Sequence, residues 1–434
     1  MDTNGGHLCP RQRSTATDCF YYATVSPKRR NVFTHARSMN TPSLLTRVLP
    51  PATDPWGRAL RVGAIAYVLS RVFVIMGVAV VVAAQAVWAR LNNEEPAGGL
   101  SGLVEVLSNW DGHWYMEVAR SGYPHHIMPN VTYFVSDARA AFFPLYPRVV
   151  HYIDNVLPGG PVSIALLINI VLGGAFVYLS GRIARHLFDV KTAQKTMILV
   201  ALFPGSFVLS WAYSEAMLLT LAALCFLALH RHMWLLAGIL AAFGTAARPN
   251  GLALVAACGV AALIAIKEDR EWKALVAPAL APLGFIGFML FLRHHTGEDL
   301  AWFRVQREAW KEGTSFGATA VTRTFDFFLN PTSSPTSLLT AASMIALIIG
   351  LVALWKHRIP LMYIAYSAVI IALMLLPATV TARPRFLFTA FPLLIPVARM
   401  LRDDEEKWWP TVVLIMATGL VAVTGMYGVR AAIP

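Results

Sequence analysis

Long apolar runs constrain this chain more than any other feature. Stretches of roughly 15–25 apolar residues recur from position 62 to position 430, the length a helix needs to cross a bilayer. They lie at 62–88, 161–181, 196–212, 214–230, 233–247, 251–266, 274–292, 338–354, 359–377, 385–400 and 411–430, about eleven predicted spans in all. Of the 434 residues, 56% are hydrophobic and 14% charged, whereas an ordinary soluble chain carries about 25% charged residues. The pattern predicts an all-α, polytopic membrane protein.

The formal charge of +12 invites a nucleic-acid reading, but its distribution opposes one. Residues 1–61 hold nine Lys and Arg against three acids, and most other basic residues sit in short connections. No basic stripe interleaved with aromatics appears, so nucleic acid is not an expected partner. Arg58 and Arg61 flank the first run and place its start in the cytoplasm by the positive-inside rule. Residues 89–160 carry four Arg against seven acids and fall outside. Alternation then puts "GRIARHLFDVKTAQK", "HRH", "IKEDREWK", "WKHR" and "RMLRDDEEK" on the cytoplasmic side.

The expected organisation is a disordered cytoplasmic tail over 1–57 and a multi-spanning domain over 58–434. Its large extracytoplasmic loops are 89–160 and 293–337. The tail is rich in Ser, Thr, Pro and Arg and has no apolar signal-peptide core; Met39 is an alternative start. Within the first loop, "AAFFPLYPRVVHYI" is too short and too proline-rich for a span and reads as interfacial or re-entrant. The run 233–247 ends in "AARPNG", where Pro249 breaks the helix; broken backbone at membrane depth implies a surrounding protein wall or wet cavity. Cys225 and Cys258 lie inside apolar runs and Cys9 and Cys19 in the tail, which makes no disulfide framework.

With this topology, five distant segments bring unusual polar groups to one membrane face. Trp110, Asp111 and His113 follow the first span in "NWDGHWYMEVARSGYP". Tyr213 and Glu215 ("WAYSEA"), Arg248 and Asn250 ("ARPNG"), and Arg383 and Arg385 ("TARPRF") sit at outer turns. His294 and Gln306 belong to the second large loop. Taken singly, Asp111 reads as a helix cap, the Trp and Tyr residues as an interfacial belt, and the arginines as headgroup contacts. Glu215 resists such a reading, because an acid between two apolar runs is expensive. Together they suit one chemistry. A carboxylate acts as general base on a hydroxyl, arginines grip a phosphate, and aromatic faces receive a sugar or isoprenoid. That combination points to sugar transfer from a lipid phosphate.

The motifs "WDGHWYMEVARSGYP", "AAFFPLYP", "LFPGSFVLSWAYSEAMLL", "GTAARPNGL" and "TARPRFLFTAFPLL" resemble, in order, those of the PIG-V-like mannosyltransferases. "HHTGEDLAWFRVQREAW" resembles bacterial members, and the Ala-, Val-, Leu- and Arg-rich style is also bacterial. The resemblance covers about residues 62–400. It implies a GT-C fold, a polyprenyl-phosphate-mannose donor, and inversion at the sugar carbon with Asp111 as catalytic base. His113, Trp110, Tyr213, Glu215, Arg248, Asn250, His294, Gln306, Arg383 and Arg385 are the expected substrate-binding residues. The expected partners are that donor, a glycolipid or other membrane-associated acceptor, and membrane lipids. No cofactor or metal site is expected, with a divalent cation left open. The alternatives are a transporter or flippase of polyprenyl-linked lipids and a non-catalytic membrane subunit. A transporter would gather polar groups near the midplane in repeated halves.

Overall fold

A helix start signal lies upstream of the first apolar run. Asp54 accepts hydrogen bonds from the backbone N–H groups of Trp56 (3.0 Å) and Gly57 (3.1 Å), and Pro55 occupies the first turn, where no N–H is needed. Helix α1 therefore runs Pro55–Leu91, beginning inside the stretch expected to be tail and seven residues before the expected span. The computed structural model describes residues 53–95, 98–332, 334–379, 381–403 and 407–429. The rest of the expected tail, with Cys9, Cys19 and Met39, lies outside the described residues.

Among the described residues the regular structure is α-helix with short 3-10 turns, plus one isolated bridge between Thr314 and Pro377. Six segments are long and apolar enough to cross a membrane: Pro55–Leu91, Gly160–Leu187, Pro249–Asp269, Trp272–Thr296, Pro335–Lys356 and Trp409–Gly428. Three more apolar helices are shorter, Glu215–Leu229, Trp234–Ala247 and Leu361–Leu375. At 1.5 Å per residue these reach about 21–23 Å, short of a hydrocarbon core of about 30 Å.

The expected spans at 196–212 and 385–400 are not continuous helices, so the count of eleven is not met as drawn. The first is α-helix Val190–Leu202 followed by 3-10 turn Pro204–Leu209; the second is helix Pro384–Thr389, 3-10 turn Phe391–Leu393 and helix Leu394–Asp403. Pro204 and Pro392 are the physical reason, since each lacks an N–H and clashes with a continuing helix, whereas Pro384 occupies the first turn of its own helix. Apolar content was right; the backbone path was not. The two broken segments meet at Gly205, where an added Cβ would lie 2.1 Å from the Pro384 carbonyl oxygen.

A buried cation stabilises one break. Arg71, in the middle of α1, donates to the Ser206 carbonyl (2.9 Å), to Ser210 Oγ (2.8 Å) and to Ser206 Oγ (3.1 Å). An arginine inside a span is tolerated when its donors find such oxygens, and here they are two serine hydroxyls and one carbonyl of the 3-10 turn and the residue after it. Cys225 and Cys258 are free and buried, with their Sγ atoms 3.8 Å apart.

The two large loops form one layer rather than two. The first contains helix α2 (Gly99–Leu107), helix α3 (Asp111–Ser121), a 3-10 turn over Ser136–Ala141 and helix α4 (Leu145–Asp154). The ten residues of α4 come from "AAFFPLYPRVVHYI" and reach about 15 Å, shorter than a span as expected. Helix Ala301–Ala309 of the second loop packs on the first: Arg304 donates to the carbonyls of Ile127 (3.1 Å) and Met128 (3.2 Å), and Trp302 Nε1 to that of Ala141 (3.0 Å). Trp114, Tyr133, Phe142 and Trp310 fill the join, edge-to-face or stacked with centroids 5.5–6.4 Å apart.

Candidate active site

Asp111 is placed by an uncommon backbone. Trp110, just before it, has φ of +59°, a value that few non-glycine residues adopt, so the chain turns sharply into α3 with Asp111 as its first residue. Trp110 Nε1 donates to the Tyr427 carbonyl (3.3 Å), which ties that turn to the last helix. Gly112 lies against Ala212 and Tyr213, where an ideal Cβ would be 3.5 Å away, so the start of α3 sits on the turn that precedes Glu215.

That turn carries the second acid. Helix Glu215–Leu229 opens on Glu215, whose side chain is fully buried, whereas that of Asp111 is 19% exposed. Asn169, inside the span Gly160–Leu187, donates its amide to the carbonyls of Trp211 and Tyr213, the latter at 2.7 Å, and so holds the turn from within the bundle.

Two arginines from separate breaks join the acids. Arg385 pairs with Asp111 through Nη2 and with Glu215 through Nε at 2.5 Å. Its guanidinium lies 4.7 Å from the Tyr213 ring centroid. Arg248, at the end of helix Trp234–Ala247, places Nη1 2.8 Å from Glu215 Oε2 and Nη2 4.0 Å from Asp111 Oδ2. The 2.8 Å approach is an ion pair rather than an aligned hydrogen bond, because Glu215 Oε2 and Arg248 Nε have no hydrogen-bond partner among the described residues. Ser214 Oγ hydrogen-bonds the Tyr115 hydroxyl (2.6 Å) and accepts from Arg248 Nη1 (3.4 Å).

Two carboxylates and two guanidiniums therefore balance within one buried cluster, which limits the cost of taking them from water. The acids occupy the arginine donors. An incoming anion with several oxygens could share them, since the guanidinium fork suits carboxylate and phosphate alike.

The sequence-derived site is partly assembled. Asp111, Tyr213, Glu215, Arg248 and Arg385 come together from four segments, and Trp110 borders them. Arg383 is buried and donates to Thr340 Oγ1 (2.7 Å) on helix Pro335–Lys356. His113 is exposed beside the Trp114 ring, Asn250 is half-buried in the 3-10 turn Pro249–Gly251, His294 is exposed, and Gln306 is half-buried. No hydrogen bond or ion pair joins these last four to the cluster among the described residues. From the sequence, Tyr115 and Ser214 stood out as aromatic and polar neighbours of the candidates without being counted among the binding residues, and Asn169 was missed although it is an amide isolated in an apolar run.

Fold and site together define a class: a multi-pass helical membrane protein with a buried acid–arginine cluster built at the ends of broken spans. Residues 90–274 match the family described as Mannosyltransferase (PIG-V). The match bears out the resemblance carried by the motifs that lie within those residues. No curated protein matches the chain in sequence.

Among solved structures, the chain is similar to the Archaeoglobus fulgidus oligosaccharyltransferase. Its zinc and sulfate complex is 13% identical with a TM-score of 0.40, over 74% of this chain and 48% of that one. The apo form is 13% identical with a TM-score of 0.39, over 86% and 56%. A complex of the archaeal enzyme with an inhibitory peptide and a dolichol-phosphate is 13% identical with a TM-score of 0.34, over 73% and 51%. This chain spans about half the length of the solved structures it matches.

Proposed function

We propose that the chain is an inverting membrane mannosyltransferase. It takes mannose from a polyprenyl-phosphate-mannose donor and passes it to a lipid-linked or glycolipid acceptor on the extracytoplasmic face. The observation that carries this reading is the cluster of Asp111, Glu215, Arg248 and Arg385, with one acid reaching solvent and the other wholly enclosed.

The difference in exposure divides the labour. Glu215 is sealed between both arginines and orients them. Asp111, partly open, can meet an acceptor hydroxyl. The donor phosphate competes with the carboxylates for Arg248 and Arg385, which loosens the hold of Arg385 on Asp111. The acceptor oxygen then attacks the sugar carbon on the face opposite the phosphate while Asp111 takes its proton. The bond to the phosphate oxygen breaks, and its electron pair leaves with the lipid phosphate beside the two guanidiniums. Tyr213 and Trp110 supply aromatic faces next to this centre.

The test is transfer from radiolabelled polyprenyl-phosphate mannose to a membrane-lipid extract, with purified wild type and Asp111→Asn side by side. Removing a general base typically slows a reaction by about 10²–10⁴-fold. Labelled product from wild type and a loss of that order in the variant is the expected result. Equal product from both would move the base elsewhere, with Glu215 the next group to replace. No labelled product from wild type would favour the transporter or non-catalytic reading.

A further inference from the structure

A second polar feature lies outside the acid–arginine cluster. Helix α4 and helix Leu283–Thr296 border a groove of about 380 Å³ that includes Tyr123, Arg148, Leu283, Gly287, Phe288 and Phe291. Its volume falls in the range of sites that hold small molecules or lipid chains. None of Asp111, Glu215, Arg248 and Arg385 lines it.

Its walls are rigid and its floor is open. Tyr123 packs on Phe288 and Phe291 at 5.4 Å, and Phe143 on Phe288 at 4.6 Å. Gly284 seats helix Leu283–Thr296 on the neighbouring helix, since an added Cβ would stand 2.0 Å from the Ala242 carbonyl oxygen. Gly287, one turn on, meets nothing within 4 Å, so its missing side chain keeps space in the groove rather than allowing contact. Leu283, Leu290 and Phe291 are exposed on the same helix, so the groove opens on an apolar outer surface.

One charge stands in this setting. Arg148, exposed on α4, has no acidic partner and no hydrogen-bond acceptor among the described residues. A cation beside apolar surface at a bilayer is expensive unless an anion meets it, and lipid phosphate is the anion available there.

We propose that this groove binds an anionic glycerophospholipid of the surrounding bilayer, with its phosphate on Arg148 and one acyl chain along Leu283, Gly287 and Phe291. Two points favour a bilayer lipid over the sugar donor. The groove shares no residue with the centre where the donor phosphate has to react. It also opens beside exposed apolar positions of a membrane helix. The occupant has a mechanical role. Helix α4 is tied to α3 by His151 Nδ1 and the Ala119 carbonyl (2.8 Å), so the lipid braces the helix that begins with Asp111.

The test is native mass spectrometry of the full chain from phosphatidylcholine nanodiscs with and without phosphatidylglycerol. Wild type is compared with Arg148→Gln, Arg148→Lys and Gly287→Leu. Wild type retains phosphatidylglycerol in preference to phosphatidylcholine. Arg148→Gln lowers that retention by about tenfold, the scale of one charge-assisted hydrogen bond, and Arg148→Lys restores part of it. Gly287→Leu fills the groove from an open position and lowers retention with the charge intact, so a misfolded arginine variant does not decide the matter alone. Equal retention of the two lipids by wild type, or unchanged retention in both Arg148→Gln and Gly287→Leu, overturns the proposal. So does displacement of phosphatidylglycerol by polyprenyl phosphate in wild type but not in Arg148→Gln, which would give the groove to the donor.

Discussion

Glu215 and Asp111 carry the same charge yet face different fates when neutralised. Glu215 is wholly buried between two guanidiniums, so Glu215→Gln strips the compensating charge from an enclosed pair. Breaking a buried ion pair on one side typically costs about 3–5 kcal/mol, and the variant is expected to melt well below wild type in detergent. Asp111 is partly open, and Asp111→Asn keeps its shape at the head of α3, so its melting temperature stays closer to wild type while transfer fails. Thermal melts and transfer assays on the two variants separate these roles; equal melting losses would remove the division of labour. Arg248→Ala is expected to raise the KM for the polyprenyl-phosphate donor more than the KM for the acceptor. A selective rise in acceptor KM would take Arg248 out of the phosphate grip.

At the scale of elements, prolines place the site. Pro249 and Pro384 each open a short helical turn directly beside an arginine of the cluster, Pro204 opens the 3-10 turn that leads toward Glu215, and Arg71 and Asn169 hydrogen-bond carbonyls of that turn and of the residues after it. Close approach at Gly205 holds two breaks together. Gly205→Ala would drive a methyl into the Pro384 carbonyl and is expected to destabilise by at least about 1–3 kcal/mol, with transfer lost in parallel because Arg385 follows Pro384 directly. Gly259→Ala is the control, since its added Cβ meets nothing within 4 Å. Comparable thermal melts for the two variants would contradict this packing.

Across the whole molecule, charge pairs away from the cluster fasten distant helices. Asp189, in the connection between helices Gly160–Leu187 and Val190–Leu202, accepts from Arg399 Nη1 (2.8 Å) and the Thr192 amide (2.9 Å), with Arg402 3.6 Å away. Burial pushes its carboxyl upward, but the Thr192 amide and hydroxyl with Arg402 and Arg399 outweigh that and hold it below the usual range. A carboxyl lowered by folding contributes stability in full above its unfolded value, about 3.9, and loses it as pH falls through the lower folded value. Wild type should therefore lose its melting advantage over Asp189→Asn as pH drops below about 4. An advantage that persists unchanged to lower pH would show that the pairing adds nothing.

Apolar periodicity in the chain was enough to read an all-helical, many-spanned protein, because a run of about twenty apolar residues has few other places to go. Polar residues stranded between such runs also marked Asp111, Glu215, Arg248 and Arg385 as candidates, because burying a charge is costly wherever it happens. The same reasoning drew two continuous spans where Pro204 and Pro392 break the path. It also grouped His113, Asn250, His294 and Gln306 with the cluster by sharing a membrane face. Only the tertiary structure decided which arginine meets which acid. That pairing depends on how four separate segments pack through Gly205, Gly112 and Asn169, and contacts between residues 33 to 274 positions apart leave no local pattern to read.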